Sequence, residues 1–461
     1  MHHSLRRVLI LAIAAWVGAP YAARAQDVQY WNATYGTKAL LLGGVVIGSS
    51  QDISAVYYNP AGLALLERTE VILSGTGYQY SRIAIDNGIG GGGSVSSSSI
   101  SAVPVMFAGE IPVGFLDPGR LAYSVLTRQR FETRVQARGL GPDSTLDVPD
   151  MRFFSGDVKG EENLSDTWVG LTWARTANPH LSVGLTQFVS VRSQRALFST
   201  VAQAIDSSGD AALAIRSRDF DYTTWGLLWK LGLAAKFPTW SMGMTVTTPS
   251  VHLFGSGSAG RDLTIVDQGI SPNAITQVAT DFQDGVAANY RTPLSVGVGG
   301  AYSFGPTRLH ASAEWFASEA AYHVLETQQF TAQSSGQTMT NEVVQEFKAV
   351  VNYGVGMDHR FGPKLSAYGS FRTDRTPLPD SSAANATMSH FDLWHVTGGT
   401  SFSWLNADLV LGGEVAFGSR TPRMTISTIP IGDPGVPPGA KVSYTAATVF
   451  LAIKVAFGAS H

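Results

Sequence analysis

Val449-Phe-Leu-Ala-Ile-Lys-Val-Ala-Phe457 reads as a single β-strand with two unlike faces. Successive strand side chains point to opposite sides, so Val449, Leu451, Ile453, Val455 and Phe457 share one face and Lys454 lies on the other. Upstream segments repeat the pattern. In 407–419, Leu409, Leu411, Val415 and Phe417 oppose Glu414; in 307–319, Leu309, Ala311, Ala313 and Trp315 oppose His310 and Glu314. In 221–236, Trp225, Leu227, Trp229, Leu231 and Leu233 oppose Lys230. A charge facing lipid near the bilayer midplane costs ~2–4 kcal/mol, and here charge after charge falls opposite the apolar row. That is apolar-out, polar-in.

The connections between such segments come in two kinds. Six short turns are expected at Pro112–Arg120, Thr176–Pro179, Phe237–Thr239, Gly305–Pro306, Gly362–Pro363 and Leu405–Asn406. Seven long connections lie between them, roughly at 84–99, 133–164, 193–220, 251–290, 320–344, 375–389 and 420–443. Thirteen strictly alternating connections imply fourteen strands. Short periplasmic turns and long outer loops are what an even-stranded outer-membrane barrel requires. A soluble sandwich also alternates, with its apolar face turned inward. The aromatics argue against it: Phe115, Trp173, Phe237, Trp240, Phe304, Phe361, Trp404 and Phe457 all flank the short-turn level, as an interfacial girdle does. The expected fold class is all-β, a fourteen-stranded antiparallel transmembrane β-barrel over 70–461.

Composition agrees. The 461 residues include 49 glycines, 10 Trp, 15 Tyr and 22 Phe, with 15% charged, against about 25% for ordinary soluble domains. Cysteine is absent, which removes a disulfide framework and any Cys-ligated metal. A formal net charge of −3 gives no reason to expect nucleic acid as a partner. At the N-terminus, Arg6 and Arg7 precede the apolar run Val8 to Trp16, and Ala23-Arg24-Ala25 follows. This is the layout of a signal peptide over 1–25, cleaved after Ala25, and the run falls short of the ~20 residues a spanning helix needs. The expected location is the bacterial outer membrane, with membrane lipid around the barrel.

Residues 26–69 do not fit the repeat. They hold Ala39-Leu-Leu-Leu-Gly-Gly-Val-Val-Ile-Gly48, then Ser54-Ala-Val-Tyr-Tyr-Asn-Pro-Ala-Gly-Leu63. Asn59-Pro60 followed by Ala61-Gly62 is turn chemistry, because proline drives its predecessor out of helical conformation. Too short for a domain and too apolar for a free tail, the segment is expected inside the barrel as a plug.

Ala39 to Leu63, above all Ser54 to Leu63, resembles the FadL/OMPP1/TodX family of outer-membrane transporters. Thr247-Thr-Pro-Ser250, ending the seventh strand, and Tyr290-Arg-Thr-Pro293, opening the eighth, are further points of likeness. The resemblance covers the mature chain in layout: an N-terminal hatch, fourteen strands and long outer loops. It implies passive uptake of hydrophobic small molecules, such as long-chain fatty acids or hydrocarbons, through a monomeric channel. No cofactor, metal or catalysis is implied. By motif it assigns only Asn59, Pro60 and Ala61, as elements of the hatch gate. The residues that would hold a fatty-acid carboxylate are not marked by motif. Strand parity puts Arg128, Arg130, Lys230, Glu314, Glu414 and Lys454 on lumen faces, where plain solvated lining is the bland alternative. The chain departs from the common aromatic C-terminus by running on through Gly458 to His461.

Other motifs carry little. Gly88–Gly93 and Gly255–Gly260 match G-x-G-x-x-G, but neither follows a buried strand and opens a helix; both are expected in long loops. His390 and His395 would face opposite sides of a strand, which spoils a shared metal site. His310, Glu314 and His395 on lumen faces leave open a lipid-acting enzyme, and the long loops leave open a closed receptor or adhesin. A lipid-acting enzyme has little use for a plug, whereas a permanently closed hatch would favour the receptor.

Overall fold

The structure is a computed structural model describing residues 29–457 except 51, 75–76, 87–94, 103–105, 113–118, 142–150, 269–275, 380–390, 405 and 421–440. The expected signal peptide and its cleavage site lie outside the described residues, as do Phe115, Gly88–Gly93, His390 and the C-terminal Gly458–His461.

Fourteen antiparallel strands close into one barrel. β1 runs in two pieces, Thr69–Ser74 and Tyr78–Asp86, and β2 likewise, Val95–Ala102 and Met106–Ile111. β3 is Gly119–Gly141, β4 Met151–Asn178, β5 Leu181–Asp206 and β6 Ala211–Lys236. β7 is Trp240–Thr247 with Val251–Asp267, and β8 is Gln277–Ala287 with Ser295–Phe304. β9 to β14 are Thr307–Phe316, Val350–Arg360, Leu365–Asp374, Leu393–Trp404, Ala407–Arg420 and Lys441–Phe457. Closure comes from β14 against β1, from Thr69↔Phe457 to Asp86↔Lys441. Closing the sheet on itself satisfies the backbone groups between neighbouring strands, which lipid demands, except along a stretch between β2 and β3 described below.

Parity survives in three dimensions. Leu409, Leu411, Val415 and Phe417 of β13 and Val449, Leu451 and Ile453 of β14 lie on the bare outer surface, while Glu414 and Lys454 are buried inside. Trp173, Trp240, Phe304, Phe361 and Trp404 are outward and exposed near the short turns. There Phe237 stacks on Trp240 at 4.1 Å.

The outer connections differ from expectation. Much of 133–164 and 193–220 is not loop but ladder: β3 to β6 are 23, 28, 26 and 26 residues long. A membrane strand needs about 9–11, so this wall stands well clear of the bilayer. Its outer part mixes polar and apolar residues on both faces, since no lipid there imposes an apolar row. Cross-strand ion pairs help set the register, Arg134 Nε to Glu161 at 2.8 Å and Arg138 Nη2 to Asp157 at 3.2 Å. Gly255–Gly260 is likewise ladder within β7. Thr247–Ser250 and Tyr290–Pro293 mark breaks inside β7 and β8 rather than strand ends, where prolines cannot donate to the ladder. Ser250 and Thr292 bridge the two breaks, Ser250 N to Thr292 O at 3.2 Å and Thr292 N to Ser250 Oγ at 2.8 Å.

Between β9 and β10 a hairpin, Glu319–Leu325 with Val343–Phe347, folds inward. It packs Tyr322, Val324, Leu325 and Phe347 against Phe220, Tyr222 and Tyr290. The connection between its two strands covers the outer edge of β8, with Gln283 and Gln328 exchanging hydrogen bonds at 2.8 Å. An uncovered edge strand would be a template for aggregation.

Candidate functional site: a lumenal segment seated on glycines

Residues 29–66 fill the barrel's interior. Two short helices, α1 (Lys38–Leu41) and α2 (Ala55–Tyr58), and a 3₁₀ turn (Pro60–Leu65) are joined by tight bends. Gly43 and Gly44, at φ 59° and 75°, take the left-handed conformation that side chains rarely adopt. Tyr35, Leu40, Leu41, Leu42, Ile53, Val56 and Leu63 are fully covered and pack with Trp168, Phe188, Leu228, Val410 and Phe450 of the wall. Burying each such side chain is worth ~1.5–3 kcal/mol.

The wall makes room by omitting side chains. A Cβ on Gly184 of β5 would lie 2.4 Å from Pro60 C, one on Gly232 of β6 2.2 Å from Asn59 Oδ1, and one on Gly243 of β7 2.2 Å from Ile47 O. Across the barrel, a Cβ on Gly354 would meet Val45 Cγ2 at 2.6 Å, and one on Gly412 would meet Leu41 Cδ2 at 2.3 Å. Glycine within a strand often marks such close approach.

Asn59 is the hinge of the seat. Extended at φ −156° because Pro60 follows, it ends α2 and caps the 3₁₀ turn, its Oδ1 accepting from Ala61 N at 3.2 Å. Its Nδ2 donates to Ile47 O at 2.8 Å and to Leu233 O of the wall at 2.9 Å. Ser182 Oγ donates to Ala61 O, and Thr186 Oγ1 to Val56 O, both at 2.9 Å. The motif residues therefore sit together at the contact between segment and wall.

No protein-family model matches the chain, and no curated protein sequence does. Solved structures do. The Ralstonia pickettii toluene transporter TbuX is 15% identical, with 92% of this chain and 99% of that one covered and a TM-score of 0.57. The P. putida toluene transporter TodX is 14% identical, with 94% and 100% covered and a TM-score of 0.59. A Pseudomonas aeruginosa FadL homologue is 13% identical, with 95% and 100% covered and a TM-score of 0.56. The fold is that of the FadL/TodX channels.

Within this FadL-type barrel, the remaining expected residues separate into distinct groups. Glu414 belongs to a buried cluster: Arg372 Nη1 reaches its Oε2 at 2.6 Å, Thr397 Oγ1 donates to it at 2.8 Å, and His395 Nδ1 lies 2.9 Å from Oε1. Arg372 also donates to Trp31 O at 3.1 Å. Glu314 accepts from Ser295 Oγ at 2.7 Å and from Trp31 Nε1 at 2.8 Å. Lys454 bridges Glu70 and Asp408 at 2.9 and 3.0 Å, and Glu70 in turn accepts from Ile53 N. His310 stands apart from Glu314 and His395: Ser49 Oγ lies 2.7 Å from its Nδ1, and Asp358 Oδ2 2.7 Å from its Nε2. These groups tie the lumenal segment to the wall. Ser49, Arg372 and Asp358 were not marked by any motif, although lumen parity admits the latter two.

Arg130 does not face the lumen. A register shift between Thr127 and Gln129 inserts one residue into β3, so parity reverses beyond Arg128. The Arg130 side chain is 43% exposed and lies 3.8 Å from Glu132.

Arg128 and Lys230 remain inside, 7% and 5% exposed. Both approach one aromatic group. Arg128 Cζ lies 5.9 Å from the Tyr57 ring centre and 5.5 Å from that of Trp168, and Lys230 Nζ lies 5.0 Å from Tyr57. Burial pushes the Tyr57 phenol up to about 12, so it stays neutral at physiological pH and offers the cations its ring face. Arg128 Nη1 is buried without a hydrogen-bond partner. Among the described residues, neither cation has a carboxylate within ion-pair distance.

The wall beside this pair is not fully zipped. β2 pairs with β3 only from Met106↔Leu126 to Ile111↔Leu121. Above that level, among the described residues, the Val95–Ala102 piece of β2 makes no ladder with β3. Ser97 Oγ, donating to Arg134 O, spans the seam. A pocket there is lined by Ser99, Ser101, Phe131 and Thr133 together with Asn32 of the lumenal segment.

Proposed function

We propose that this chain is an outer-membrane channel for passive uptake of hydrophobic small molecules, exported by a signal peptide cleaved after Ala25 and acting as a monomer without catalysis. The observation that carries the reading is a FadL-type barrel whose lumen is closed by an N-terminal segment on a glycine seat. Residues 26–69 act as its hatch, and Asn59, Pro60 and Ala61 as the gate. Apolar solute enters from the long-loop end and meets the aromatic surface of Tyr57 and Trp168. It leaves once the hatch shifts, with the β2–β3 seam as a lateral way into the bilayer.

Two buried cations with no carboxylate in ion-pair contact among the described residues favour an amphiphile with an anionic head, such as a long-chain fatty acid, over a plain hydrocarbon. A buried charge without a direct ion pair is costly, and a carboxylate in contact offsets that cost. The test is uptake of labelled oleate and labelled toluene by cells with and without the protein. Arg128→Gln/Lys230→Gln should weaken oleate uptake about tenfold, the equivalent of 1.4 kcal/mol, and spare toluene. Equal oleate uptake by cells lacking the protein refutes the transport reading.

A further inference from the structure

We infer that the short-turn mouth of the barrel holds a second binding site, for an oxyanion headgroup, that joins the lumenal segment to the wall. A cavity of about 470 Å³ lies below the segment, and elements from all round the mouth converge on it. Lys38 comes from α1, Arg68 from the bend just before β1, Lys236 from the end of β6, Arg308 from β9, Arg360 from the end of β10 and Lys454 from β14. Three carboxylates share the lining, Glu67, Glu70 and Asp408. Two of these are already taken, since Glu70 and Asp408 both hold Lys454. Among the described residues, the other five cations have no carboxylate within ion-pair distance.

The cations are not all loose at the surface. Arg308 Nη2 is anchored on Ser241 Oγ at 2.7 Å, while its Nε is buried without a partner. Ser49, Ser50 and Asn59 of the segment contribute polar groups to the roof, and Leu65, Leu66 and Ala456 an apolar patch. A water molecule's share of liquid volume is about 30 Å³, so the cavity takes a headgroup of several heavy atoms with a short apolar stub. Like charges gathered in a recess repel, and an anion in their midst turns that repulsion into charge-assisted hydrogen bonds. Because Lys38 and the roof belong to the segment whereas Arg308 and Arg360 belong to the wall, the bound anion favours the seated arrangement. The ligand chemistry is a carboxylate or phosphate head, from a fatty acid or from a phospholipid of the facing leaflet.

The site is independent of the transport reading, because binding is read at equilibrium on purified protein. The experiment is isothermal titration of inorganic phosphate into detergent-solubilised protein at low salt. Expected is saturable binding by the native chain, at least tenfold weaker binding by Arg308→Gln/Arg360→Gln, and a smaller loss in Lys236→Gln at the exposed rim. Heat-modifiable gel migration checks that each variant is a folded barrel. In competition, octanoate and a short-chain phosphatidylglycerol separate the two sources: displacement of phosphate by either supports the site and names its source. Equal phosphate affinity in native and double-variant protein, or displacement by neither competitor, overturns it.

Discussion

Asn59→Ala removes three hydrogen bonds with a single truncation, and the structure lets their sum be worked. The lost acceptor at the start of the 3₁₀ turn is a capping bond, worth ~1 kcal/mol. The two bonds from Nδ2, to Ile47 O and to Leu233 O, contribute about 1 kcal/mol each. Together they amount to about 3 kcal/mol, and each 1.4 kcal/mol is a factor of about ten. The unseated fraction of residues 29–66 should therefore rise about a hundredfold. The barrel should be untouched, because Asn59 belongs to no strand and its wall partner is a backbone carbonyl that keeps its ladder. In planar bilayers the variant should show frequent openings where the native chain is mostly shut, and limited proteolysis should reach the segment sooner. Native-like conductance and native-like protection, in a variant that still migrates as a folded barrel, would refute the argument that Asn59 holds the seat.

Gly232→Ala should act in the same direction, since its Cβ would lie 2.2 Å from Asn59 Oδ1; Gly369→Ala, with nothing within 4 Å, should leave conductance unchanged. Arg372→Met strands the buried Glu414 carboxylate, and breaking a buried pair in this way costs about 3–5 kcal/mol. Thermal unfolding in detergent should fall markedly, and Arg372→Met/Glu414→Gln should recover most of the loss.

How far the sequence carried depends on what the physics leaves visible. Lipid outside and water or protein inside force strict alternation, and short turns force alternate connection lengths, so strand number and facing were legible from Leu409, Glu414, Ile453 and Lys454 alone. Strand length was not, because the outer parts of β3 to β6 mix polar and apolar residues on both faces, without the apolar row of a membrane strand, and read as loop. Arg130 was misplaced by one inserted residue at Arg128, which no composition signal announces and which reverses every side chain beyond it. The Asn59-Pro60 turn was legible because proline restricts its neighbour. Its seat is written in the sequence as well: Gly184, Gly232 and Gly243 sit at lumen parity in otherwise well-filled strands, a sign of close backbone approach. The pairing of Ser49 with His310, 261 positions apart, and the meeting of Arg128 and Lys230 over Tyr57 come from closure of the barrel, which no local pattern contains.

If movement of the lumenal segment opens the path, a covalent link between segment and wall closes it. The chain has no cysteine, so Leu41→Cys/Gly412→Cys introduces the only pair. Leu41 Cδ2 lies 2.3 Å from where a Gly412 Cβ would stand, which brings the two Cβ atoms near the ~3.5–4.5 Å that a disulfide spans. With the bond confirmed formed, the account predicts that oleate uptake stops in oxidised cells and returns on reduction. Undiminished uptake through the oxidised, locked protein would contradict it.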